Sequence, residues 1–175
     1  MNELFVNYKR FGIFGASESG KTTLAKKISY HFWQTERRPS IVLDCVSKSN
    51  WGAHAAVFVN EEKFWKYIFE AKNALIVVDD ASVTINRDNE LNGVFTTMRH
   101  QGHKLLVIGH SAGNLLPQMR EQLQRIFLFL QNEDSIKKWE NVFPTANLQG
   151  ATQLKQYEFL TVANYSPAKR FALTK

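Results

Sequence analysis

Residues 11 to 14, Phe-Gly-Ile-Phe, form a short apolar run that stops at Gly15, and Gly20-Lys21-Thr22 follows four residues later. An apolar run closed by glycine reads as a buried strand feeding a loop. Beyond it, Leu24, Ala25, Ile28, His31 and Phe32 recur at helical spacing, which predicts an amphipathic helix over residues 20–33. Strand, glycine-bounded loop and helix in that order leave the chain few options. Backbone N–H groups at the start of the helix converge with the helix dipole on an anion, and glycines let the backbone approach it. Lys21 is then placed to neutralise β and γ phosphates, and the Thr22 hydroxyl to ligate magnesium. Gly15, Ala16, Ser17, Glu18, Ser19, Gly20, Lys21, Thr22 and Thr23 are therefore the expected contacts of ATP with Mg2+. A plain glycine-rich turn would share the composition but not the flanking strand and helix.

The same alternation continues along the chain. Ile41–Cys45 and Ala56–Val59 read as strands, the second leading into a helix that carries Phe64, Trp65, Ile68 and Phe69. Ala74–Val78 is the most apolar run of five, as expected of a strand covered on both faces. Leu91, Val94, Phe95 and Met98 predict a further helix, Leu105–Ile108 a strand, Asn114 and Pro117 the opening of a short helix through Leu123, and Arg125–Leu130 another strand. After a less regular stretch, Tyr157–Val162 and Lys169–Leu173 flank Asn164-Tyr165-Ser166-Pro167 as a C-terminal β-hairpin. The expected class is α/β, a mostly parallel sheet flanked by helices, in a single domain over residues 1–175.

A net charge of +6 leans towards an anionic partner such as nucleic acid. The lone Cys45 excludes an internal disulfide and fits a reducing cytoplasmic setting, the five histidines show no zinc-ligand spacing, and no run reaches the roughly 18 apolar residues of a spanning helix. The Asn164-Tyr165-Ser166 sequon is a chance match in such a setting.

Asp79 ends the most apolar strand and is the candidate second holder of magnesium through its water shell. Asp80 beside it suits the group that orients or deprotonates the attacking water; the bland alternative is a solvated turn acid. His110 or Ser111, at the end of the next buried strand, is placed to sense the γ-phosphate or is merely a polar loop residue. Arg99, Arg120 and Arg125 are candidates for an arginine finger given across a subunit interface, against the commoner role of a surface ion pair.

With these residues placed, the chain resembles the FtsK/HerA-type ATPases, and more narrowly the small genome-packaging ATPases of membrane-containing icosahedral phages and poxvirus-like large DNA viruses. The resemblance rests on Gly-x-Ser-x-Ser-Gly-Lys-Thr-Thr (15–23), Leu-Ile-Val-Val-Asp-Asp (75–80), Met-Arg-His (98–100), Pro-Gln-Met-Arg (117–120) and Gln-Arg-Ile-Phe (124–127). It implies a RecA-like P-loop NTPase domain that assembles as a homo-oligomeric ring, a pentamer or hexamer. ATP would be hydrolysed between subunits, driving double-stranded DNA, without sequence preference, into a capsid through portal or vertex proteins in the host cytoplasm or virion. Two departures matter: the wider superfamily usually has glutamate where Asp80 stands, and often glutamine at the strand end occupied by His110-Ser111. DNA would meet Arg37-Arg38, Lys48 or Lys169-Arg170, each of which also reads as an ordinary solvated cluster. A nucleotide or small-molecule kinase is an alternative, although residues 131–155 are poor in the arginine a kinase lid needs, and so is a Zot-type phage assembly NTPase.

Overall fold

A computed structural model describes residues 8–45, 49–79 and 101–173. The sheet begins with β1 (Arg10–Phe14), which leads through the glycine loop into α1 (Lys21–Glu36). There follow β2 (Ser40–Leu43), β3 (Ala55–Phe58), α2 (Glu61–Glu70), β4 (Leu75–Val78), β5 (Lys104–Gly109), a 3-10 turn (Ala112–Asn114), α3 (Pro117–Gln122) and β6 (Arg125–Leu128). The chain ends in α4 (Glu133–Val142), a second 3-10 turn (Gln149–Gln153) and the pair β7 (Glu158–Ala163) and β8 (Lys169–Ala172).

Eight strands form one sheet in the order β3-β2-β4-β5-β1-β6-β7-β8. The first six pair in parallel, while β7 runs antiparallel to both β6 and β8. The expected mixed α/β architecture and terminal hairpin are thus both present. Parallel strands at the centre are sealed from water on both faces, and each of β2, β4 and β6 is buried at every position.

Side-chain alternation divides the interior between two layers. Phe11 and Ile13 face α1, where they meet Leu24, Ala25, Ile28 and Phe32. Phe14 faces the other way, into a cluster with Phe64 and Ile68 of α2, Met119 of α3 and Ile136 and Trp139 of α4. Gly12 shares that second face because a Cβ there would sit 2.4 Å from the Phe14 ring and 2.9 Å from Leu123. On α1 the sequence pattern placed His31 on the buried stripe, but Ser29 is the fully buried polar residue. Its hydroxyl bonds to Ser40 Oγ at 2.7 Å and His54 Nε2 at 2.8 Å, which satisfies it where an apolar neighbour would not.

Two segments differ from the sequence reading. The stretch after β6 holds a regular helix, α4: Asn132 caps it by accepting a bond from Ser135 N–H at 2.8 Å, Glu133 and Asp134 occupy the first turn where the dipole favours anions, and Ile136 and Trp139 are buried. β6 stops at Leu128 rather than Leu130; Phe129 N–H still bonds to Phe14 O, and Leu130 O accepts from Ala16 N–H, so these two residues brace the glycine loop. The helix expected around Leu91, Val94, Phe95 and Met98 lies outside the described residues, as do Asp80, Arg99 and Lys48.

Candidate functional site

The central position of β1 decides where the site lies. Its carboxyl end opens between the ends of β5 and β6, and the loop that follows is fastened to both: Gly15 N–H donates to Gly109 O and Ala16 N–H to Leu130 O, each at 3.2 Å. In an open α/β sheet this crevice at the strand ends is where ligands bind. Gly15 lies so close to the chain after β6 that a Cβ would fall 2.5 Å from Phe129 Cβ. Glu18 then takes φ +58° and Gly20 φ +110°, so the backbone curls left-handed before entering α1.

That curl leaves an anion-shaped opening. No side chain caps the amino end of α1, and its first turn carries no acidic residue, so the helix start is electrostatically positive. Ser19 is 7% exposed, and its hydroxyl, 3.1 Å from where a Gly15 Cβ would stand, has no hydrogen-bond partner. A buried hydroxyl of this kind needs an acceptor or donor supplied from elsewhere. Lys21 folds back so that Nζ donates to Ala16 O at 2.8 Å, which suspends the ammonium over the loop. The backbone, the hydroxyl and the lysine fit the terminal phosphates of a nucleotide.

Asp79 completes the hard-oxygen side. It follows β4, two strands from β1, and its N–H is held by Leu43 O at 2.9 Å. Thr22 Oγ1 donates to Asp79 Oδ2 at 3.4 Å, so a hydroxyl at the start of α1 and a carboxylate at the end of β4 meet although 57 residues separate them. Magnesium prefers such oxygen donors and keeps several waters, and the pair fits it.

The remaining sequence candidates are distributed less evenly. His110 and Ser111 follow β5 beside the loop, His110 with an exposed side chain. Ser111 is engaged with Asn114, whose Oδ1 accepts its N–H at 2.7 Å and its hydroxyl at 3.2 Å. Arg120 is turned inward: one guanidinium nitrogen donates to Ala112 O at 2.8 Å and to Leu115 O at 2.6 Å, pinning the loop after β5. Arg125 pairs in register with Phe11, at the opposite end of β1 from Gly15, where it is buried, stacks 4.6 Å over the Tyr8 ring and donates to Thr161 Oγ1 at 3.3 Å. Both guanidinium groups are thus engaged within the chain, and that of Arg125 at the far end of β1 from the loop. Among the DNA candidates, Arg38 donates to Glu36 and Gly102 O, Arg170 pairs with Glu158 at 2.6 Å, and Arg37 and Lys169 are exposed.

The sequence pattern missed one wall altogether. Gln156 Nε2 donates to Glu18 O at 3.0 Å and Tyr157 N–H to Ser19 O at 3.0 Å, so the turn before β7 backs the phosphate loop. The local pattern marks Tyr157 only as the start of a hairpin strand and Gln156 not at all, because the contact joins parts of the chain 138 residues apart.

An eight-stranded, mostly parallel sheet with the glycine loop leaving β1 near its middle, and a threonine hydroxyl at the start of α1 beside a carboxylate at the end of β4, is a P-loop NTPase fold. Among solved structures, the chain is similar to the genome packaging NTPase B204 from Sulfolobus turreted icosahedral virus 2 in complex with AMPPCP, with a TM-score of 0.71, 18% identity and coverage of 93% of this chain and 96% of that one. It is also similar to B204, the DNA-packaging ATPase from Sulfolobus Turreted Icosahedral Virus, with a TM-score of 0.72, 18% identity and coverage of 97% and 100%. The N-terminal domain of zonular occludens toxin from Neisseria meningitidis follows with a TM-score of 0.61, 14% identity and coverage of 95% and 94%. No protein-family model and no curated protein matches the sequence.

Proposed function

We propose that this chain hydrolyses ATP and uses the reaction to drive double-stranded DNA into a preformed viral capsid, acting as a ring of identical subunits. The observation that carries the hydrolytic part is the meeting of Thr22 and Asp79 beside a lysine poised over an uncapped helix start. The packaging part draws on the similarity in fold to B204, which spans nearly the whole of both chains, and on the net charge of +6.

Bound magnesium nucleotide supplies an electrophilic γ-phosphoryl group. Lys21 and the N–H groups at the start of α1 would bind and neutralise its oxygens, and Thr22 and Asp79 would hold the magnesium ion. Asp80 takes the role of accepting a proton from the attacking water, and His110 or Ser111 that of contacting the γ-phosphate. We assign the finger to Arg99 of a neighbouring subunit rather than to Arg120 or Arg125, whose guanidinium groups are already engaged.

ATP hydrolysis measured with and without duplex DNA, across protein concentration, tests this reading. DNA should stimulate turnover, and activity should rise faster than linearly, because the site is completed by a neighbour. Lys21→Ala should abolish nucleotide binding, and Asp80→Asn should bind ATP yet turn over at least about a hundredfold more slowly, as expected on removing a general base. A linear, DNA-independent response would overturn the motor, and would favour an assembly NTPase of the kind suggested by the zonular occludens toxin fold.

A further inference from the structure

The cavity beside the phosphate loop has a volume of about 430 Å³, within the range that holds a small ligand. Glu18, Gly20, Lys21, Thr22 and Thr23 line one side of it, and Gln156 and Tyr157 line the other. The two ends of the site fix the direction in which a nucleotide would lie. Asp79 stands on the β5 side of β1, whereas the Gln156–Tyr157 turn precedes β7, on the β6 side. Thr22 and Asp79, the pair that would hold magnesium, mark the end of the site where the phosphates belong. The nucleoside end must leave in the other direction, past Thr23 towards Gln156 and Tyr157.

Tyr157 is built for a fixed position there. Its φ of +67° is disfavoured for an aromatic residue, yet it is held by two main-chain bonds, from its own N–H to Ser19 O at 3.0 Å and from Leu173 N–H to its carbonyl at 2.9 Å. Its ring lies against the loop so closely that a Cβ on Gly20 would sit 2.8 Å from Cδ1. Gln156 holds the same turn in place through the bond from its amide to Glu18 O.

We infer that this turn is the nucleoside subsite: the base packs on the Tyr157 ring, and adenine and guanine are accepted alike. The inference rests on the nucleotide reading above. Tolerance follows from chemistry, because every base offers a π-face to an aromatic ring, whereas reading a base edge needs uncommitted donors and acceptors. Both main-chain groups of Tyr157 are bonded, to Ser19 and Leu173, and the Gln156 amide donates one N–H to Glu18 O, so the ring face is what this turn chiefly offers a base.

Calorimetric titration of the intact chain with magnesium ATP, magnesium GTP and inorganic tripolyphosphate separates the parts. Wild-type protein should bind ATP and GTP within about fivefold of each other. Tyr157→Ala should weaken both nucleotides by on the order of tenfold, as for loss of one stacked base, and leave tripolyphosphate unchanged, while Tyr157→Phe should bind like wild type. An equal loss for tripolyphosphate would mean that Tyr157 merely supports the loop, and would overturn the subsite. Unchanged nucleotide binding in Tyr157→Ala, or wild-type preference for one base by more than about fivefold, would overturn it as well. If the wild-type protein bound neither nucleotide nor tripolyphosphate, the nucleotide reading itself would fail, a result distinct from the other three.

Discussion

Replacing Gly15 by alanine adds one methyl group at the tightest point of the cradle. The new Cβ would lie 2.5 Å from Phe129 Cβ, 3.3 Å from Phe129 Cα and 3.1 Å from Ser19 Oγ. Carbon atoms rest at about 3.5–4.0 Å, so about 1 Å of room must be opened. A flexible side-chain tip could give that room at little expense, but here the obstruction is the root of a fully buried residue whose N–H is bonded to Phe14 O at 2.8 Å. The backbone after β6 therefore has to move against its own pairing. Overpacking of this kind costs about 1–3 kcal/mol, and the rigid obstacle places Gly15→Ala in the upper half of that range. For a chain of this length each kcal/mol lowers Tm by roughly 2–4 °C, so the expected loss is about 4–12 °C. Gly150→Ala supplies the comparison: its nearest neighbour would be Leu160 Cδ1 at 3.8 Å, ordinary contact, and it should stay within about 0.5 kcal/mol of wild type. Thermal unfolding of the two variants without nucleotide decides the matter. If Gly15→Ala lost no more than Gly150→Ala, the claim that the loop is sterically locked to Phe129 would be refuted.

Acid should weaken the fold before the carboxylates titrate. Burial holds His31, His54 and His103 below the ordinary histidine range, so they remain neutral in the native state at pH values where the unfolded chain takes up protons. Their contribution is complete above about pH 6.5, the unfolded value, and is lost as pH falls below it. The urea midpoint should decline across that window, and His103→Gln, which retains an acceptor for Ala74 N–H, should flatten part of the decline. Asn132→Ala should remove the cap of α4 and cost about 1 kcal/mol by urea unfolding, with Asn132→Asp close to wild type.

Much of the architecture could be read from hydrophobic runs. Ala74–Val78 and Leu105–Ile108 are apolar without interruption because parallel strands are covered on both faces, and β4 and β5 lie at those places. The phosphate loop was legible for a different reason: glycines, lysine and threonine at fixed spacing are a local requirement, met within nine residues. Long-range geometry was less accessible. Arg125 looked like an available cation in a run of residues, but only the register with Phe11 places it at the far end of β1 from the loop. The helix α4 escaped because its apolar face is narrow, with Ile136 and Trp139 spaced by three residues among charged neighbours. Tyr157 was legible only as the start of a hairpin strand and Gln156 not at all, since what they do is decided by where the terminal hairpin packs.

The attachment of Tyr157 to both Ser19 and Leu173 also sets an order in time. The motif is synthesised early, yet two of the groups that hold it emerge from the ribosome only when the terminal hairpin does. During translation the loop has its glycines and its lysine but not its backing. A chain interrupted before β8 would carry an intact motif and lack the Leu173 bond that steadies Tyr157. The groups that back the loop are therefore supplied later in synthesis than the motif they hold.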